Sequence, residues 1–375
     1  MNPRVGRPSY FLRDEPALAA TIDEFLFRLG GDLAAQTFDR GVAALVLGGG
    51  YGRGEGGVFR NAEMGRPGLY NDLEFYVFVS DRRIAPGLDA WCHRWERQGT
   101  TELGIDVEFK RLPADIFQST TPTMFYFDLL QGHRLVRGAD ALLANAPGRL
   151  RDPAQIPLSE PVRLLFNRGS GLLFARWRLA ERPNDVDGFV ERNHAKVRLA
   201  LADAVLAAAG RHDGSCLERQ RQIAGGSFET PSGFDRLRQW HEAGVRFKLE
   251  PRHRHPGAVA LAKENRELTE AWLKTFLWLE SRRLGATFET GGEYLRYYSR
   301  LFPETSCGRN FFLHVRDRVR RGSALPGWMD YPRAALQRAL VAAHSDDDER
   351  RAAANLGASV DTWRDTYRCW WGFYN

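Results

Sequence analysis

Cysteine is scarce in this 375-residue chain: Cys92, Cys216, Cys307 and Cys369 lie far apart and form no CxxC. Neither a disulfide framework nor a zinc knuckle is indicated, and free thiols in a reducing cytoplasm are the expectation. Long apolar runs are also missing. No stretch approaches roughly 18 uninterrupted apolar residues, and the Arg-bearing segment from Met1 to Pro16 leads into no apolar signal core. Neither a membrane span nor an export signal is expected. Internal repeats, low-complexity tracts and dense Lys/Arg runs are absent too, which excludes a solenoid and a basic nucleic-acid arm.

What is present is an ordinary globular balance. Hydrophobic residues make up 43% and charged residues 27%, which excludes a fibrous or wholly disordered chain. At roughly 150 residues per domain the length implies two to three domains and a core that needs no staples. Lys plus Arg number 53 against 47 Asp plus Glu, a net +6. The basic side is almost entirely Arg, whose forked guanidinium suits carboxylate or phosphate, so an anionic ligand is admissible. Six charges are too mild a bias to announce nucleic acid.

Periodicity divides the chain in two. Pro16 opens a helical pattern through Leu18, Ile22, Phe25, Leu26 and Leu29 that Gly30-Gly31 is expected to stop. Val42 to Leu47 reads as a buried strand running into glycines 48–50. From Asp72 to Val79 the chain alternates, with Leu73, Phe75, Val77 and Val79 on one face and Asp72, Glu74, Tyr76 and Phe78 on the other. Ile84 to Gln98 reads as a helix. Residues 105–111 alternate again, setting Asp106, Glu108 and Lys110 opposite Ile105, Val107 and Phe109. Beyond Arg151 helical patterns take over at 161–180, 191–209, 258–284, 291–301, 307–320, 331–344 and 357–373, with 211–257 the most loop-like interval. The fold class expected is α+β, a mixed sheet with helices followed by an all-α region, divided as residues 1–150 and 151–375.

The richest segment runs from Leu47 to Gly57 and contains a literal GxGxxG at Gly52, Gly54 and Gly57, with Asp72 some way downstream. A dinucleotide-binding unit would need a helix next, but residues 58–71 hold two glycines and a proline, so that reading is rejected. No Gly-Lys-Ser/Thr follows, so a Walker loop is rejected as well. What the spacing supports is a strand, a glycine turn able to face phosphate oxygens, and a strand presenting two carboxylates i, i+2, with a third acid from the next strand. Carboxylates converging beside a phosphate cradle suit metal-assisted phosphoryl or nucleotidyl transfer, because hard divalent cations take oxygen ligands.

At these residues the chain resembles the polymerase-β-type nucleotidyltransferase superfamily. Gly49-Gly50-Tyr51-Gly52-Arg53-Gly54-Glu55 is similar to that family's Gly-Ser-Tyr-Ala-Arg-Gly-Glu loop, with Gly50 in place of serine. Asn71-Asp72-Leu73-Glu74-Phe75 takes the position of its Ser-Asp-h-Asp-h strand. The interval between Gly50 and Asp72 is longer than the family's spacer, and the excess is assigned to a loop insertion around Asn61 to Tyr70, since lengthening a surface loop costs little. Phe125 to Gly138 resembles the family's following helix and short strand.

The resemblance implies a Mg²⁺- or Mn²⁺-dependent enzyme that transfers a nucleoside monophosphate from an NTP to a hydroxyl of a small-molecule or protein acceptor, in a cleft closed by the helical region. Asp72, Glu74 and Asp106 would hold metal. Asp106 or Glu108 would be the third acid and draw the acceptor's proton. Gly49, Gly50, Tyr51, Arg53 and Gly54 would hold the nucleotide phosphates, with Lys196 reaching the triphosphate. Two rivals stand beside this: a nucleic-acid end-modifying nucleotidyltransferase, disfavoured by the scattered Arg, and a non-catalytic nucleotide- or partner-binding relative.

Plainer roles are weighed for the remaining features. Glu55 is expected to bond loop amides or Arg53, and Arg53 to form a salt bridge or touch phosphate. Arg192, Asn193 and Lys196 share a polar helix face that a solvated surface explains. Asn167 and Arg168 interrupt an apolar helix, as a cleft wall or a buried hydrogen bond would. His253 and His255 are a weak metal pair. Ser345 to Glu349 reads as a helix start. Trp363, Tyr367, Trp370, Trp371, Phe373 and Tyr374 read as packing rather than base stacking.

Overall fold

A computed structural model describes residues 9–60, 67–81, 83, 85–182, 188–252, 256–345 and 348–374. The chain runs α1 (Pro16–Ala34), β1 (Val42–Leu47), α2 (Gly49–Gly52), β2 (Val58–Arg60), β3 (Pro67–Leu69), β4 (Leu73–Val79), α3 (Ala85–Leu103), β5 (Val107–Pro113), α4 (Ile116–Ser119), α5 (Met124–Gln131), β6 (Arg134–Gly138) and α6 (Ala141–Ala144). Helices follow: α7 (Ser159–Glu181), α8 (Phe189–Ala208), α9 (Cys216–Gly225), α10 (Phe234–Leu249), α11 (Ala258–Leu284), α12 (Gly291–Arg296), α13 (Cys307–Arg321), α14 (Arg333–Ser345), α15 (Glu349–Leu356) and α16 (Trp363–Tyr374). This is a mixed α+β chain with a small sheet and a helical C-terminal region.

Two compact units form. One gathers Met1–Pro157, Ala209–Ser227 and Glu242–His253; the other gathers Leu158–Ala208, Phe228–His241 and Arg254–Asn375. In the first, four strands pair in the order β5-β4-β1-β6. β1 is antiparallel to β4 and β6, while β4 and β5 are parallel. The central strands are apolar on both faces because both are covered. Leu73, Phe75, Val77 and Val79 join Ile22, Phe25, Leu29, Leu88, Trp91 and Trp95 from α1 and α3 in one core. Tyr76 and Phe78 join Phe117, Leu129, Leu130 and Leu143 in another. Burying one such large side chain contributes about 1.5–3 kcal/mol, so the alternation of β4 fixes which side chains face each layer.

Several expectations shift. Gly30-Gly31 do not end α1, which continues to Ala34; a Cβ on Gly30 would lie 3.3 Å from the Val136 carbonyl oxygen, so the glycine lets the helix approach β6. α3 continues past Gln98 until Gly104, at φ 68, breaks it. The insertion expected as a loop is in part a hairpin, with Val58 opposite Leu69 and Arg60 opposite Pro67; residues 61–66 lie outside the described residues. That hairpin stands where a dinucleotide-binding unit has its helix, and β1 meets β4 antiparallel rather than parallel, which agrees with the rejection of the GxGxxG reading.

In the second unit, α7 packs against α8, α11 and α14. Gly169 admits the Trp272 indole, which lies 2.4 Å from where a Cβ would stand. Trp363, Tyr367, Trp370 and Tyr374 are buried, and the Tyr367 hydroxyl sits 2.7 Å from Ser170 Oγ, so most of the aromatic tail is packing, although Phe373 is exposed. The interval 211–257 is not loop-like: it carries α9 and α10. α12 stops at Arg296 instead of reaching 301, because the Asp330 carboxylate takes the Leu301 and Phe302 N–H groups at 2.6 and 3.0 Å. Gly357, at φ 64, ends α15 and delays the last helix to Trp363. Asp348 caps α15 by accepting from Arg351 N at 2.9 Å, while Asp346, Asp347, His253 and His255 lie outside the described residues. No helix among the described residues is long and apolar enough to cross a membrane.

Candidate functional site

β1 delivers the chain into a single helical turn, α2, rather than an open loop. Gly49, at φ 62, starts it, and a Cβ there would fall 2.7 Å from Glu74 Oε1. The turn therefore lies directly on the β4 carboxylate. Gly48 N donates to the Glu74 carbonyl at 2.8 Å, fixing that approach. Gly50 stands where the resembling family has serine; Glu55 N donates to its carbonyl at 2.8 Å, and a Cβ there would press to 3.1 Å from the Glu55 carbonyl oxygen. The loop has closed on itself too tightly for a larger residue to be neutral.

Tyr51 locks the turn to the start of β4. Its buried hydroxyl donates to the Gly57 carbonyl at 3.0 Å and accepts from Tyr70 N at 3.1 Å. Gly57 N in turn donates to Asn71 Oδ1 at 2.6 Å. Burial, with the nearby Asp72 charge as a smaller contribution, pushes the Tyr51 phenol up to about 12. Tyr51 thus serves as a strut between the glycine turn and Asp72.

The acids come from two strands in parallel register. Leu73 stands beside Val107 and Glu74 beside Glu108, and Leu73 N donates to the Asp106 carbonyl at 2.9 Å. Side chains alternate along a strand, so Asp72, Glu74, Asp106 and Glu108 share one face. Asp72, Asp106 and Glu108 are exposed and Glu74 is half-buried. Asp106 lies one residue ahead of β5 rather than inside it. Glu108 is engaged by Lys110 Nζ at 3.5 Å, and Glu74 by the Tyr76 hydroxyl at 2.5 Å.

The donor set is all carboxylate oxygen, the chemistry a hard divalent cation takes, and like charges on neighbouring strands repel unless something neutralises them. As the side chains stand, no three His, Cys, Asp or Glu among the described residues form a ready ligand group.

Arg53 and Glu55 have partners that sequence reasoning missed. Arg53 Nη1 lies 3.6 Å from Asp128 Oδ2, and Asp128 Oδ1 lies 2.8 Å from His212 Nε2. The Arg53 stem passes so close to Gly132 that a Cβ there would lie 2.7 Å from its Cγ. Glu55 is 2% exposed and bonds neither loop amides nor Arg53, contrary to expectation. It accepts from Ser215 Oγ at 2.7 Å, from Cys216 N at 2.9 Å and from Lys248 Nζ at 3.0 Å. Although burial opposes its charge, Lys248 and these donors hold the Glu55 carboxyl down at about 2. Only the helix-start pattern at Ser215 could have signalled this, and it fell in the interval read as loop.

The remaining candidates lie in the second unit. Lys196 and Arg192 are exposed on α8, while Asn193 Nδ2 donates to the Phe189 carbonyl at 2.9 Å. Asn167 and Arg168 are half-buried on α7.

No protein-family model matches the chain, and no curated protein is significantly similar to it.

Proposed function

We propose that the first unit is a nucleotidyltransferase-like catalytic domain, transferring a nucleoside monophosphate from an NTP to a hydroxyl of a small-molecule or protein acceptor. The observation that carries this is the parallel register of β4 and β5, which brings Asp72, Glu74, Asp106 and Glu108 to one face while Gly49 lies against the Glu74 carboxylate. A structural surface has no need of two like-charged pairs side by side.

Asp72, Glu74 and Asp106 are the residues that would hold a divalent cation, Mg²⁺ or Mn²⁺, which when bound supplies charge stabilisation at the transferred phosphoryl group. The protein's own residues do the rest. The glycine turn 49–54 receives the β- and γ-phosphates, with Tyr51 and Asn71 holding it rigid against β4. A carboxylate oxygen of Asp106, or of Glu108, takes the proton from the acceptor hydroxyl. The acceptor oxygen then bonds to the α-phosphorus, the α–β bridge bond breaks, and pyrophosphate leaves. Arg53, already held by Asp128, positions the turn, and Lys196 has no step in this scheme.

The experiment is incubation with each α-labelled NTP and Mg²⁺, followed by mass spectrometry of the labelled products. The reading requires pyrophosphate release and a nucleotidylated hydroxyl compound or protein. NTP binding without any transfer would favour the non-catalytic relative.

A further inference from the structure

We propose that the second unit carries an anion pocket of its own, built to hold the phosphate group of a small phosphorylated ligand among Arg163, Arg309 and Arg333. It does not rest on the nucleotidyltransferase reading, since its residues all belong to the other unit.

The pocket is a cavity of about 210 Å³ where the starts of three long helices meet: Ser159 and Arg163 from α7, Arg309 from the first turn of α13, and Tyr331 and Arg333 at the opening of α14. That is far more room than the roughly 10–15 Å³ one water needs. Two glutamates also reach its wall, and each already has a cation: Glu160 accepts from Arg163 Nη2 at 2.8 Å, and Glu304 takes Arg283 Nη1 at 3.2 Å. Neither Arg309 nor Arg333 makes an ion pair with a carboxylate among the described residues, and Glu160 and Glu304 act on Arg333 only through the field, without a bond.

Arg333 is the informative side chain. Its Nε donates to the Tyr374 carbonyl at 2.7 Å, and its guanidinium carbon lies 5.4 Å from the Tyr331 ring centroid and 5.8 Å from that of Phe166. That bond uses one of several N–H donors. Burial, with Arg163 beside it, pulls the Arg333 guanidinium below the ordinary arginine value, although Tyr331, Glu160 and Glu304 act in the opposite direction. The rim is rigid: Asp330 clamps the Leu301 and Phe302 amides, and Arg300 Nη2 donates to the Phe302 carbonyl at 2.9 Å. Cations that converge from three helices suit a tetrahedral oxyanion better than a planar carboxylate, and Arg is the side chain that forks onto phosphate.

The test is calorimetric titration of the full chain at constant ionic strength with glycerol phosphate, inorganic phosphate and acetate, on the native protein and on Arg309→Gln, Arg309→Lys and Asp72→Asn. Arg309 is exposed, so its variants should fold as the native protein does, with an unchanged melting temperature. The proposal expects saturable one-to-one binding of glycerol phosphate and weaker binding of acetate. Arg309→Gln should lose about tenfold or more in affinity, the loss of a charge-assisted hydrogen bond. Arg309→Lys should lose less, and Asp72→Asn nothing. Absent binding, equal affinity in Arg309→Gln, a loss in Asp72→Asn, or binding of the free phosphate ion alone would each overturn it.

Discussion

The Tyr76 hydroxyl donates to Glu74 Oε2 at 2.5 Å, so the inner carboxylate of the acidic face is aimed by a residue two places along its own strand. Burial, reinforced by the Glu74 charge, raises the Tyr76 phenol well above its usual value. Tyr76→Phe keeps the buried ring and deletes the bond. Stability should fall by about 1.5–3 kcal/mol, the worth of a hydrogen bond to a charged group, and transfer should slow while NTP affinity changes less. Urea unfolding with steady-state kinetics measures both.

Tyr51 and Tyr76, two of several tyrosines whose phenols are raised, help set an alkaline limit. Tyr51, pushed up to about 12, and Tyr76 hold their protons more tightly folded than unfolded. Their contribution is therefore complete below about pH 10 and is lost as pH rises from 10 towards 12. Their tyrosinate absorbance should appear only with unfolding, and ionisation near pH 10 in the folded chain would contradict this.

Glu55 acts in the opposite direction. Its carboxyl is held at about 2 against an ordinary value of 4.5, so its contribution is complete above about pH 4.5 and is lost as pH falls towards 2. A shift of that size corresponds to about 3 kcal/mol. Glu55→Gln should cost an amount of that order at neutral pH and flatten the acid limb of the stability curve, as urea midpoints measured across pH would show.

Gly52 has no room for a side chain: a Cβ would lie 2.5 Å from the Leu47 carbonyl oxygen, a backbone atom. Gly52→Ala should destabilise by about 1–3 kcal/mol and displace Gly49 from Glu74. Calorimetric melting checks the first effect and NTP binding the second.

Both strands of the candidate site were legible because alternation ties each acid to an apolar neighbour with a known address. Once Leu73 and Phe75 must be buried, Asp72 and Glu74 must face the other way. The bounds of α11 were equally legible, since a long apolar stripe overrides its ends. What escaped were features set by tertiary partners. Nothing local to Gly30-Gly31 reveals the carbonyl of Val136 that keeps glycine useful inside α1. Nothing around Ser215 or Lys248 announces that Glu55, some 160 residues upstream of the first, accepts from both. Arg53 was legible as a salt-bridge former, but its partner Asp128 was not, because the pairing depends on how α5 lies beside the glycine turn.

The identity of the third acid divides two neighbours. Glu108 is drawn to Lys110, and Asp106 stands outside that pair, beside Asp72. Asp106→Asn should therefore damage transfer more than Glu108→Gln, with both variants folded. The reverse order in a single-turnover assay would move the proton acceptor to Glu108, and equal rates would contradict the ranking.

The most direct measurement of the acidic face is the melting temperature of the native chain and of Asp72→Asn, each with and without NTP plus Mg²⁺ and again with chelator. Without ligand, Asp72→Asn should melt at or slightly above the native temperature, since one clustered anion is gone. An NTP at 100 times its dissociation constant should stabilise the native first unit by about 2.7 kcal/mol. That gain should vanish with chelator and in Asp72→Asn. Stabilisation that persists in both, or no stabilisation by any NTP with Mg²⁺ or Mn²⁺, would contradict the assignment of Asp72, Glu74 and Asp106 to a metal-dependent nucleotide site.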